Sequence, residues 1–258
     1  LGMIAPGRQA DFVILDNVTD LNVVDVYHCG KKIIKDEKAE LKPCPPYLKN
    51  TVHVSGFSEE RLKLKHPGTK ARVIQMLEKQ IVTRDVLEEV PWIESDGEKY
   101  FAPDGEYQKI AVIERHKNTG KMGVGIIKGY GIRGGAIASS VSHDSHNIIV
   151  VGDNDRDIAI AVKEMMRTQG GYTLVCNGEI YGTLPLPVMG LMSDAGYESV
   201  NEALAKMIPK AHEMGVKEGF DPFITLSFMA LPVIPEIRIT PRGIYLVNED
   251  RMLRTPFS

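Results

Sequence analysis

The chain has 258 residues, with 31 Lys+Arg against 34 Asp+Glu and a formal net charge of −3. Hydrophobic residues make up 43% and charged residues 25%, ordinary globular values that allow a sizeable core and exclude the disordered and fibrous classes. The near-balance of charge gives no reason to expect a nucleic-acid partner or a membrane surface.

Cys29, Cys44 and Cys176 are odd in number, far apart and without a CxxC spacing. They fit a reducing compartment better than a disulfide framework. No apolar run approaches the roughly 20 residues of a membrane span, and no signal-peptide pattern precedes the first strand, so a cytoplasmic location is expected. The chain opens at Leu1 and enters a strand pattern almost at once, which reads as a start inside a longer protein.

In chain order, "ADFVILD" (10–16) is a strand candidate. "VVDVYHCGKKII" (23–34) reads as a hairpin turning at Gly30-Lys31. "KPCPPYL" (42–48) carries three prolines and reads as a linker. The expected domains are therefore 1–56 and 57–258. Residues 71–90 have helix-like spacing, but Val73, Ile74, Ile81, Val82 and Thr83 favour strands, and two strands are expected there. Strands follow at 109–116, 121–131, 135–142 and 147–152, with turn chemistry at Asn118-Thr119-Gly120.

A helix capped by Asp155 is expected next, with Ile158, Val162, Met165 and Met166 on one face and Gly170-Gly171 as the stop. "YTLVCNGEIYGTLPL" (172–186) is a hairpin turning at Asn177-Gly178. Ser199 and Glu202 have capping-box spacing for a second helix, which Pro209 should bend and Gly215 should end. Residues 223–247 read as strands interrupted by Pro232, Pro235 and Pro241. This order predicts an α+β fold with a mixed or antiparallel sheet and two or three helices.

The stretch "SSVSHDSHN" (139–147) sets polar groups inside an otherwise apolar run. If it is a loop between two strands, His143, Asp144 and His146 can converge. Three readings stay open: a polar turn, a pocket for a polar heterocycle, or a divalent metal site. Glu114-Arg115-His116 at a strand end reads as a second, weaker candidate group. The glycine-rich "GVGIIKGYGIRGG" (123–135) lacks the phosphate-loop spacing and a following helix; "GYGIRGG" reads as a bend where backbone passes close to something. Methionines 165, 166, 189, 192, 207 and 229 read as core filler, and Cys176 as an inert thiol.

"LGMIAPGRQADFVILDN" followed by "VVDVYHCGKKI" resembles the closing segment of the amidohydrolase superfamily, where the chain completes a small β-sandwich. The stretches "KIAVIERHKNTGKMGVGIIKGYGIRGGAIASSVSHDSHNIIVVGDNDRDIAIAV", "QGGYTLVCNGEIYGTLPLPVMGLMSD" and "LPVIPEIRITPRGIYLV" resemble the C-terminal domain of bacterial adenine deaminases nearly end to end. The resemblance implies an N-terminal β-sandwich segment, an α+β domain, and a hydrolase of purine salvage that converts adenine and water to hypoxanthine and ammonia. It also implies a manganese or iron centre in a (β/α)8 barrel that activates water. Such a barrel needs about 250 residues, and none is expected in this chain. No metal ligand or catalytic residue is therefore carried over.

What the resemblance implies for this chain is a wall of the pocket. His143, Asp144, Ser145, His146 and Asn147 are expected to face the barrel mouth and bind adenine, with Glu114, Arg115 and His116 as the second group. His143, Asp144 and His146 are the candidate accessory metal site. The expected partners are adenine, the barrel of the same enzyme and a second copy in a homodimer. The isolated chain is expected to be inactive. The alternative is a stand-alone purine-binding or oligomerisation module.

Overall fold

The structure is a computed structural model that describes residues 2–33, 43–68 and 70–257. It contains two compact units, Leu1–Pro43 and Cys44–Ser258, that meet within the proline-rich segment. Among the described residues no helix is long and apolar enough to cross a membrane.

The first unit is a three-stranded antiparallel sheet of β1 (Phe12–Leu15), β2 (Val23–His28) and β3 (Lys31–Ile33). Phe12 stacks on Tyr27 at 4.7 Å between ring centroids. Val13, Ile14, Val23, Val24, Val26 and Ile33 remain exposed. None of the described residues 2–33 is buried.

The second unit is built on an eight-stranded sheet of β4 (Ala71–Met76), β5 (Thr83–Glu88), β8 (Tyr107–Ile113), β9 (Met122–Lys128), β10 (Gly135–Ser139), β11 (Ile148–Gly152), β12 (Gly171–Cys176) and β13 (Glu179–Pro185). A short hairpin, β6 (Trp92–Ser95) and β7 (Glu98–Phe101), lies between β5 and β8 in sequence. The spatial order of the large sheet is β13-β12-β10-β11-β8-β9-β4-β5. Every neighbouring pair is antiparallel except β4 and β9. The fold is thus α+β with a mixed sheet, and no barrel is closed.

Strands β10 and β11 are buried along their whole length. A central strand covered on both faces needs a continuous apolar run and not an alternating one, which is what "GAIAS" and "IIVVG" supply. One face meets α1 (Asp155–Thr168) through Ile158, Ala161, Val162 and Met165, together with Val52, Leu62, Leu64 and Phe101. The other face meets α2 (Tyr197–Glu213), α3 (Ile224–Met229) and a small sheet of β14 (Ile237–Thr240), β15 (Gly243–Leu246) and β16 (Arg251–Leu253). At Gly123 on β9 a Cβ would strike the carbonyl of Thr240, so the two sheets touch backbone to backbone there.

Several elements differ from the sequence expectation. The cap of α1 is Asn154, whose side chain accepts the Asp157 N–H at 2.8 Å. Asp155 instead pairs with Lys109, which is 1% exposed. The second helix begins at Tyr197, with Gly196 before it, and the Ser199 hydroxyl donates to the Gly196 carbonyl at 3.0 Å. Residues 224–229 form a short helix where strands were expected, because the segment is wedged between layers with Leu226, Ser227 and Met229 buried. Met165, Met207 and Met229 are core residues, but Met189 and Met192 are exposed. The glycine-rich bend does approach other backbone closely: a Cβ at Gly131, whose φ is +98°, would meet the carbonyl of Gly215.

Candidate functional site

Antiparallel pairing brings the two sequence candidates together. Ile113 at the end of β8 sits opposite Ile148 at the start of β11, and Ser139 at the end of β10 sits opposite Ile149. The connections 114–121 and 140–147 therefore leave the same end of the sheet, from three adjacent central strands and their neighbour β9.

Arg115 locks these connections. It is 1% exposed. Its Nε–H donates to the His146 carbonyl at 2.5 Å, one terminal nitrogen to the Thr51 carbonyl at 3.0 Å, and the other to the Met189 carbonyl at 3.0 Å. A planar guanidinium suits three divergent carbonyls that no strand ladder satisfies. Burial lowers its pKa to about 10, the Glu114 charge opposing that shift, and it remains a cation at neutral pH.

Glu114 organises the 114–121 turn. Its carboxylate accepts the N–H groups of His116 (2.6 Å), Lys117 (2.8 Å) and Thr119 (3.0 Å) and the Thr119 hydroxyl (2.8 Å). Burial pushes the carboxyl up, but the donors led by the Thr119 N–H outweigh it and hold the pKa at about 2. A carboxylate so depressed and so fully engaged is a poor general acid or base near neutral pH.

In the 140–147 loop, Asn147 is a buried positioning residue. Its carbonyl oxygen accepts the Arg115 N–H at 3.3 Å, and its amide donates to the Ser145 hydroxyl at 3.0 Å. His116 Nε2–H donates to the Ser145 carbonyl at 2.7 Å, which joins the two turns. His146 Nδ1 accepts the Ser142 N–H at 3.3 Å, so the neutral ring carries its proton on Nε2. Burial first, then the charges of His143 and Arg115, lower the His146 pKa and keep that ring neutral. The Ser142 hydroxyl is buried and without a hydrogen-bond partner among the described residues. The ring of His143 packs on Phe228 of α3 at 5.1 Å, and its main-chain N–H donates to the Ser227 carbonyl at 3.1 Å.

A groove of about 650 Å³ opens beside these turns. Four predicted residues line it: Glu114, His116, Ser145 and Asn147. Arg115 lies beneath it, turned inward. His143, Asp144 and His146 are not among its lining residues; the His143 ring instead packs on Phe228 of α3. There Phe228 borders a second hollow of about 460 Å³. The His143 and His146 rings are 6.0 Å apart, and the Asp144 side chain is 86% exposed.

Residues that the sequence reading did not single out complete the groove: Lys117, Thr119 and Lys121 from the first turn, and Thr240, Pro241, Arg242 and Tyr245 from the small sheet. The phrase "RITPRGIY" was the available signal, since a Thr-Pro-Arg-Gly turn with an exposed arginine points at something outside the core. The site offers fixed donors and positive charge but no nucleophile paired with a base.

The fold is an α+β domain with a polar groove at one end of its large sheet. The family described as the adenine deaminase C-terminal domain matches over residues 80–251, and the chain belongs to that family. It is 50% identical over 254 residues to an adenine deaminase of Desulfitobacterium hafniense (strain Y51), covering 98% of this chain and 44% of that protein. It is 43% identical over 251 residues to one of Nitratidesulfovibrio vulgaris (strain DP4), covering 96% and 43%. An adenine deaminase 2 of Carboxydothermus hydrogenoformans is 41% identical over 255 residues, with 96% and 44% covered. The chain thus spans less than half the length of the curated relatives it matches.

Proposed function

We propose that this chain is the C-terminal part of an adenine deaminase, which hydrolyses adenine to hypoxanthine and ammonia, and that it supplies one wall of the substrate chamber. The observation that carries the reading is the convergence of the 114–121 and 140–147 turns on one end of the sheet, pinned from below by Arg115. A purine site needs a few fixed hydrogen-bonding groups. The Ser145 hydroxyl and the neutral His146 Nε2–H suit the ring nitrogens of adenine as donors. Asn147 and His116 hold Ser145, and Arg115 holds the main chain of His146.

The manganese or iron of the proposed enzyme is not assigned to this chain. Among the described residues, His143, Asp144 and His146 do not form a group of converging donors. The primary ligands belong to the barrel of the proposed enzyme. The uncovered apolar residues of the first unit suit a sheet that completes its sandwich with further strands of the same enzyme.

The test is ammonia release from adenine with manganese present, by the 258-residue chain and by the barrel-containing protein. The chain alone is expected to be inactive and the longer protein active. Turnover by the chain alone would overturn the reading.

A further inference from the structure

We infer that the first unit carries a second metal site where the β2–β3 turn meets the start of β1, unrelated to the deamination chemistry: Asp11, His28 and Cys29 bind one zinc-class divalent ion. Among the described residues this is the one group of three whose donor atoms all lie within 4.8 Å of one another. Each residue gives one donor atom to that set, so a single His28 nitrogen takes the ion; the imidazole lies between its partners, Nε2 3.5 Å from the Cys29 sulfur on one side and Nδ1 3.1 Å from Asp11 Oδ1 on the other. Ligands at about 2.0–2.3 Å from a tetrahedral ion lie about 3.3–3.8 Å apart, which side-chain rotation brings within reach of donors already inside 4.8 Å.

The donors are pre-positioned rather than merely near. Asp11 Oδ1 accepts the Cys29 N–H at 2.6 Å, and Oδ2 accepts the Gln9 amide at 2.7 Å, which fixes the carboxylate plane. The Gly30 N–H donates to the Ala10 carbonyl at 2.9 Å and holds the turn against the start of β1. Cys29 and Gly30 have φ of +51° and +75°, the geometry of a tight hairpin turn in which Asn or Gly is the usual first residue. A cysteine there is not explained by the turn. It projects its thiol beside an imidazole at an exposed tip.

One thiolate, one imidazole and one carboxylate is a borderline-soft set that suits Zn2+ or Co2+ and disfavours Mg2+ or Ca2+. Coordination replaces the S–H bond by an S–metal bond and releases the proton to solvent. The three donors leave a fourth position for water.

The test is anaerobic titration of the 258-residue chain with Co2+, reading the near-ultraviolet thiolate-to-cobalt charge-transfer band. One equivalent is expected to saturate the band and Zn2+ to bleach it. Cys29→Ser should abolish the band, and His28→Ala should weaken binding at least tenfold, on the order of a lost ligand. Asp11→Asn should weaken it too, while its side-chain oxygen still accepts the Cys29 N–H and spares the turn. Cys44→Ser and Cys176→Ser should leave it intact. Far-ultraviolet circular dichroism of each variant separates lost binding from lost folding. No band at stoichiometric cobalt, or a band that survives Cys29→Ser, would overturn the inference. Neither result bears on the deaminase reading.

Discussion

Arg115 donates its Nε–H to the main-chain carbonyl of His146 at 2.5 Å, so a residue at the end of one central strand fixes the tip of the connection beside it. The same guanidinium reaches Thr51 and Met189. The polar loop is therefore held by a buried cation as well as by hydrogen bonds among its own residues.

Replacing Arg115 with Met leaves three carbonyls without that donor. These carbonyls are part-buried, and a fully buried one left unpaired costs about 1–3 kcal/mol, so a total loss of about 1–3 kcal/mol in urea denaturation is expected. Arg115→Lys keeps the charge but not the fork and should fall between the two. Amide exchange across 140–147 should speed up in both variants.

Glu114 sets an acid limit. Its folded pKa of about 2 lies below the ordinary 4.5. The fold therefore favours the ionised form. The associated stability is fully present above about pH 4.5 and is lost as pH falls from there towards 2. Glu114→Gln should be less stable than the parent at neutral pH, and that gap should narrow through this window. Denaturation midpoints measured at about pH 6 and about pH 3 check it.

Asn154 takes the capping role expected of Asp155, which pairs with Lys109 instead. Asn154→Ala removes a helix cap and should cost about 1 kcal/mol. Asp155→Ala strands the buried Lys109 ammonium, whose pKa burial already lowers against the pull of Asp155, and should cost about 3 kcal/mol. Thermal denaturation of the two variants gives the ordering; equal losses would contradict it.

Much of this was legible from local chemistry. Apolar runs at 135–142 and 147–152 announced strands, and the structure places them at 135–139 and 148–152. Asn177-Gly178 announced its turn, and the structure gives those residues φ of +50° and +83°. The grouping of 114–116 with 143–147 was readable only as two separate signals. Their meeting depends on which strands pair, a long-range property that no local pattern encodes.

Other features were hidden for physical reasons. Arg115 resembles a solvent-facing strand end, and only the unpaired carbonyls of Thr51, His146 and Met189 turn it inward. The helix at 224–229 is short and packed on several sides, so it shows no amphipathic period. Ser199 matched a cap by spacing, but its hydroxyl donates to a carbonyl instead of accepting an N–H.

The decisive measurement is steady-state adenine deamination by the barrel-containing protein carrying His143→Ala or His146→Ala, with folding verified for each. If the 140–147 loop forms a wall of the substrate chamber, kcat/KM should fall by about 10- to 100-fold or more. Parental kinetics in both folded variants would contradict the account.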